Sequence, residues 1–202
     1  DQALTRTVER RPDMIRALDP AGLDREDRAL LARLGWAVPA GADHPVPVRL
    51  RNATADDAHA LAELAARTFP DACGNVIDPE FLERHIATNL VPELFATWAD
   101  DDRVDLILAE LLEPPSLRDG NLEARASTST APVLVGYAAV LREEADSDGE
   151  QPHGIDPRPA CVRPAGGEVV GELSKVYVDA AMRGSGLAPA LMDAVTRQAG
   201  AH

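Results

Sequence analysis

The chain has 202 residues, enough for one domain with an appendage, and its 45% hydrophobic and 27% charged content excludes wholesale disorder. Aromatic residues make up only 3%, so Leu, Val and Ala must fill the core. Thirty-four acidic against 20 basic residues give a formal charge of -14, a field that repels nucleic acid and anionic membranes and favours a cationic partner such as an amine.

Asp24 is placed to cap a helix that carries Leu30, Leu31 and Leu34 and stops at Gly35. Pro39 to Pro47, reading PAGADHPVP, has the composition of a linker. Residues 1–47 are therefore expected to form an N-terminal helical appendage and Pro-rich linker ahead of a domain spanning 48–202. Val48, Leu50 and Ala53 open a strand, and Thr54 with Asp57 makes a capping box. Ala58, Leu61, Leu64 and Ala65 share one face of the helix that follows, which is expected to end before Pro70. Asp78 and Pro79 start another helix with Phe81, Leu82, Ile86 and Leu90 as its buried stripe, and Pro92 begins a further turn toward Trp98.

The run VDLILAELL from Val104 to Leu112 reads as a buried strand, residues 113–131 as loop, and Pro132 to Leu141 as a second strand. Gly136 within it implies a bulge or a close backbone neighbour. The acidic, Gly- and Pro-rich stretch from Glu143 to Gly167 reads as a mobile insertion between hairpin strands. Glu168 to Val178 gives a third strand. Arg183, Gly184, Ser185, Gly186, Leu187 and Ala188 then lead into an amphipathic helix with Leu187, Leu191, Ala194 and Val195 on its apolar face.

A strand that runs through glycines into a helix is a physical anion site, because the first helical N–H groups lack partners and the helix dipole is positive there. A P-loop is excluded: Gly166 to Gly171 is followed by Glu172 where Lys is required. The dinucleotide fingerprint fails at Pro189, where a third small residue is needed.

The segment LSKVYVDAAMRGSGLAPALM resembles the GCN5-related N-acetyltransferase family, whose loop reads Arg or Gln, two residues, Gly, one residue, then Gly or Ala; Arg183 to Ala188 matches throughout. More loosely, the order of elements from Val48 onward is similar too. The resemblance implies an α/β fold, with a mixed, mostly antiparallel sheet flanked by helices and truncated after the glycine-loop helix. It implies acetyl-CoA as cosubstrate, its pyrophosphate held by Arg183, Gly184, Ser185, Gly186, Leu187 and Ala188. The pantetheine arm would lie along Val176, Tyr177 and Val178, bonded to the backbones of Val176 and Val178. It further implies transfer of the acetyl group to a primary amine of a small molecule or peptide. Glu172, eleven positions before Arg183, is the candidate base that frees the amine lone pair. A non-catalytic coenzyme-A-binding or interaction module is the alternative.

The family's domain continues into further strands and a tyrosine acid, which would lie beyond His202, so an unpaired edge strand inviting dimerisation is expected. Cys73 and Cys161 are too few for a zinc cluster or a disulfide framework, and Cys73 is expected to be a buried small residue. The histidines His44, His59, His85, His153 and His202 lack metal spacing. No metal, no membrane span and a cytoplasmic location are expected.

Overall fold

Every long apolar run becomes a strand and pairs with its neighbour in the chain. The computed structural model describes residues 2–73, 77–113, 132–143 and 170–201. In it β2 (Val46–Asn52), β3 (Val104–Leu111), β4 (Val133–Glu143) and β5 (Val170–Val178) form a consecutive antiparallel sheet, and the two-residue β1 (Trp36–Ala37) pairs with the start of β2. The fold is mixed α/β with helices on both faces of that sheet, as the resemblance implies.

Strand alternation explains why the centre of β3, from Leu106 to Ala109, is continuously apolar. Leu106 and Leu108 face a cluster with Leu61, Leu64, Phe95 and Tyr137, built from α4 (Ala58–Cys73), α5 (Pro79–Asn89) and α6 (Pro92–Asp100). Ile107 and Ala109 face the opposite way, toward Leu187, Leu191 and Val195 of α7 (Leu187–Ala199). A strand buried on both faces has no polar side to show. The N-terminal helices α1 (Gln2–Arg10), α2 (Pro12–Arg16) and α3 (Arg25–Arg33) gather around Ile15, Leu31 and Trp36.

The expected start signals are present. Asp24 accepts the N–H groups of Glu26 and Asp27 at 2.8 Å each, and Asp57 accepts that of Thr54 at 2.8 Å. Gly136 has both features assigned to it. A Cβ there would lie 3.1 Å from the Tyr177 carbonyl oxygen, and the neighbouring register shift leaves Val135 without an opposite residue on β3.

Three expectations change. The stretch from Pro39 to Pro47 closes an antiparallel hairpin with a long connection, in which Trp36 pairs with Pro47 and Ala37 with Val46; Gly41 takes part in its turn at φ +74°. Pro70 lies inside α4, which continues to Cys73. The final turn survives the lost donor because Phe69 beside it stacks on His85 of α5, with centroids 4.7 Å apart, and lies against Tyr177. Phe81 is 41% exposed instead of buried, with the Arg84 guanidinium over its ring. The loop read at 113–131, apart from its first residue, and the insertion read at 143–167, apart from its first residue, lie outside the described residues.

Charged groups are built into the sheet: Asp105 of β3 is buried and lies 3.1 Å from Arg142 of β4, and Glu110 is the centre of a second cluster. The Glu110 side chain is 3% exposed and accepts from Arg49 at 2.7 Å and from Arg51, which also binds Asp57 at 2.6 Å. Burial pushes the Glu110 carboxyl up, and the Arg51 and Arg49 guanidiniums more than offset this, holding it below the usual range. Hydrogen bonding to Arg51 lowers Asp57 to about 2.

Candidate functional site

The glycine loop is presented by β5 and a short 3-10 turn. Asp179 ends the strand. Its N–H donates to the Val135 carbonyl at 2.8 Å, its Oδ1 accepts the Ala181 N–H at 3.1 Å, and its Oδ2 lies 3.1 Å from the Arg67 guanidinium of α4. These bonds fix the direction in which the chain leaves the sheet. The turn Ala180–Met182 follows. Gly184 and Gly186 then adopt φ of +74° and +84°, the left-handed conformation that favours glycine.

Within the loop the Ser185 N–H donates to the Met182 carbonyl at 3.2 Å and the Leu187 N–H to Ser185 Oγ at 3.3 Å. Ser185 is fully buried, so its hydroxyl serves the loop's own backbone. Among the described residues no acceptor meets the N–H of Gly184, Gly186 or Ala188, and Pro189 has no N–H. Three donors are thus gathered at the positive end of a 13-residue helix.

Alternation along β5 sets a second row of polar groups. Because the Asp179 N–H points to β4, the Tyr177 N–H and carbonyl do the same, while those of Val176 and Val178 point to the opposite edge. No strand pairs with that edge among the described residues. The open edge leads directly into the turn that carries the glycine loop. The Tyr177 ring takes no part in either row. It stacks on Tyr137 at 5.5 Å and faces Phe69, on the side of the sheet covered by α4.

A bulge interrupts the strand nearby. Ala139 pairs with Lys175 and Val140 with Leu173, which leaves Ser174 as the extra residue. Nothing in the sequence marks Ser174 for this role.

The other predicted residues fall as follows. Glu172 is exposed near the beginning of β5, opposite Leu141, about 20 Å from Val178 at ~3.3 Å per residue. The Arg183 side chain is exposed and lies 2.8 Å from Asp71 on α4, a solvated ion pair worth under about 1 kcal/mol that an anion can replace. Cys161, His153 and His202 lie outside the described residues, as does the side chain of Cys73. His85 sits half-buried between Phe69 and Phe81; burial, and then the charge of Lys175, lower its pKa and favour the neutral ring.

Sequence reasoning missed why Gly186 must be glycine. A Cβ there would lie 2.6 Å from the Ala29 nitrogen and closer still to the Arg28 carbonyl, both on α3. At Gly184 a Cβ would meet nothing within 4 Å. Surface clefts of about 550 and 560 Å³ lie elsewhere: the first beside Arg33, Arg49 and Arg197, the second beside Asp101, Asp105 and Arg142. Neither is lined by Glu172 or by a residue of the glycine loop. Among the described residues no cluster of His, Cys, Asp or Glu could hold a metal, and no helix is long and apolar enough to cross a membrane.

Comparison with known proteins gives several partial likenesses. The family described as T3SS (YopN, CesT) and YbjN peptide-binding chaperone 3 matches residues 4–88, less than half of the chain. A tRNA (guanine-N(1)-)-methyltransferase of Bifidobacterium longum subsp. infantis is 56% identical over 45 residues, covering 22% of this chain and 16% of the relative. The enzyme of the same description from Salinispora tropica is 62% identical over 39 residues, 19% of this chain and 15% of the relative. The chain thus spans about one sixth of the length of the curated relatives it matches. Among solved structures, the PaiA N-acetyltransferase of Thermoplasma acidophilum in complex with coenzyme A is 11% identical, with a TM-score of 0.47 over 76% of this chain and 74% of that one. The BH1408 protein of Bacillus halodurans, a tetramutant, is 13% identical with a TM-score of 0.44 over 76% of each chain.

Proposed function

We propose that the chain carries the coenzyme-binding part of an N-acetyltransferase that moves an acetyl group from acetyl-CoA to a primary amine of a small molecule or peptide. The observation that carries this reading is the continuity of two donor sets. The free N–H groups of Gly184, Gly186 and Ala188 suit a pyrophosphate, and the outward backbone groups of Val176 and Val178 suit the amide-bearing pantetheine arm. A ligand with phosphates at one end and amides along its length spans both.

In this reading the acetyl carbonyl lies farther back along β5, toward the bulge at Ser174, and the amine approaches from the side of Glu172. An amine is mostly ammonium at neutral pH, so Glu172 takes a proton, directly or through water, before the nitrogen attacks the thioester carbonyl. The carbon–nitrogen bond forms as the carbon–sulfur bond breaks, and coenzyme A departs as thiolate to be protonated. A backbone donor aimed at the developing oxyanion is worth roughly 3–4 kcal/mol in a strong case. The net charge of -14 helps to gather a cationic acceptor. The cytoplasm, where cysteines stay reduced, is the compartment we propose.

A second reading, a non-catalytic coenzyme-A-binding or interaction module, draws on two observations. Glu172 is exposed, and the match over residues 4–88 is to a family described as peptide-binding chaperones. Calorimetric titration with acetyl-CoA, combined with release of free thiol in the presence of a panel of amines, separates the two. Binding with turnover supports the enzyme, while binding without turnover on any amine supports the module. Gly184→Asp places a negative side chain in open space beside the free donors and should abolish binding; unchanged affinity in that variant would remove the loop from the site.

A further inference from the structure

The backbone of α3 is built against the glycine loop. At Gly186 the two segments approach so closely that the Ala29 nitrogen would stand 2.6 Å from an added Cβ. Several contacts hold this arrangement. Arg33 Nε donates to Asp193 Oδ2 of α7 at 2.5 Å, and the Ala40 N–H donates at 2.7 Å to the carbonyl of Ala181, in the turn that feeds the loop. Leu31 anchors α3 from its other side in the cluster with Ile15 and Trp36. The Arg28 guanidinium does not reach for the loop. It donates to the carbonyls of Pro20 and Leu23 at 2.7 and 3.2 Å, tying the preceding turn to the helix. What α3 offers the loop is therefore a wall of backbone.

That wall bears on ligand affinity through conformational freedom. Glycine samples both hands of backbone space about equally, so a loop with two left-handed glycines has much freedom to lose when a ligand fixes it. With α3 in place the alternatives at Gly186 are restricted beforehand, and the free N–H groups of Gly184, Gly186 and Ala188 are already set. A preorganised site binds more tightly because less order must be imposed on binding.

We infer that α3 is a positioning element for the glycine loop, so that docking of the N-terminal segment and occupancy of the loop by coenzyme A favour each other. The inference rests on the coenzyme reading of the loop. By linkage the two effects are equal in size: whatever factor α3 docking adds to coenzyme affinity, bound coenzyme adds to α3 docking. A partner that draws the segment before Val48 away from the sheet would lower affinity without touching the ligand.

The test uses the full 202-residue chain with coenzyme A as probe. Hydrogen exchange of the unaltered protein is followed at residues 25–34 and 183–190, with and without coenzyme A. Both stretches should slow. Arg33→Glu, which sets like charges together at Asp193, should weaken coenzyme binding about fivefold, the low end of ordinary coupling between sites. The charge swap Arg33→Glu with Asp193→Arg should restore it. If coenzyme slows exchange at the loop and not in α3, or Arg33→Glu leaves affinity unchanged, the coupling is overturned while the coenzyme reading stands. Absence of any coenzyme binding by the unaltered protein overturns both.

Discussion

Adding one methyl group separates the two glycines of the loop. In Gly184→Ala the new Cβ meets nothing within 4 Å, and the remaining cost is that of holding alanine at φ +74°, roughly 1–2 kcal/mol. In Gly186→Ala the backbone term is similar, but the methyl also stands 2.6 Å from the Ala29 nitrogen and closer to the Arg28 carbonyl. Those are backbone atoms within a hydrogen-bonded helix, so α3 must move as a unit. Overpacking of this kind adds typically 1–3 kcal/mol. Gly186→Ala should therefore cost about 3–4 kcal/mol against about 1.5 for Gly184→Ala. With a urea slope on the order of 2 kcal/mol/M, the midpoints fall by roughly 1.5–2 M and 0.8 M. Urea titration followed by far-ultraviolet circular dichroism reads both, and equal shifts in the two variants would refute the close approach of α3 to the loop.

The remaining tests concern chemistry and charge. Glu172→Gln should slow acetyl transfer most near neutral pH and recover as pH approaches the amine's own pKa; a rate ratio flat across that range would leave Glu172 with a structural role only. The folded-state pKa of Asp57, about 2, lies below the ordinary carboxylate value of 3.8, so its stabilisation is complete above that value and is lost as pH falls toward 2. Integrated over that interval it amounts to about 2 kcal/mol, and Asp57→Asn should be less stable at pH 6 yet lose less on acidification. Among the described residues the buried Tyr137 hydroxyl meets no hydrogen-bond partner, and burial raises its pKa. Tyr137→Phe should thus be neutral or stabilising by about 1 kcal/mol, and a loss of 2 kcal/mol or more in thermal unfolding would reveal a bond to that oxygen.

Local chemistry made much of the architecture readable. Asp24, Thr54 with Asp57, and Asp78 announce helix starts because side-chain oxygens there meet amides only two or three residues away, forward from Asp24 and Asp78 and back from Asp57 to Thr54. The apolar runs Leu106–Ala109 of β3 and Val133–Leu141 of β4 are legible because strand segments buried on both faces are filled mainly by apolar side chains. The hairpin through Pro39 to Pro47 was not readable. Its strand β1 has two residues, too few for a pattern, and it exists because Trp36 and Ala37 find a partner in β2. Pro70 follows the same logic, since the ring contacts of Phe69 with His85 and Tyr177 hold a turn that local preference would end.

The candidate site divides along the same line. Gly184, Gly186 and the helix they introduce form a contiguous motif, so their conformation and their free donors follow from the letters themselves. Val176 and Val178 are intermediate: their place on a strand is readable, but the side to which their amides point is settled by a single bond from Asp179 to Val135 on another strand. The pressure on Gly186 is the extreme case, because it comes from a helix at the other end of the chain. A glycine that would be assigned to ligand approach from its motif alone is also required by packing. Loss of binding in a Gly186 variant therefore does not by itself identify a ligand contact, whereas the open space around Gly184 makes a substitution there a direct question about the anion.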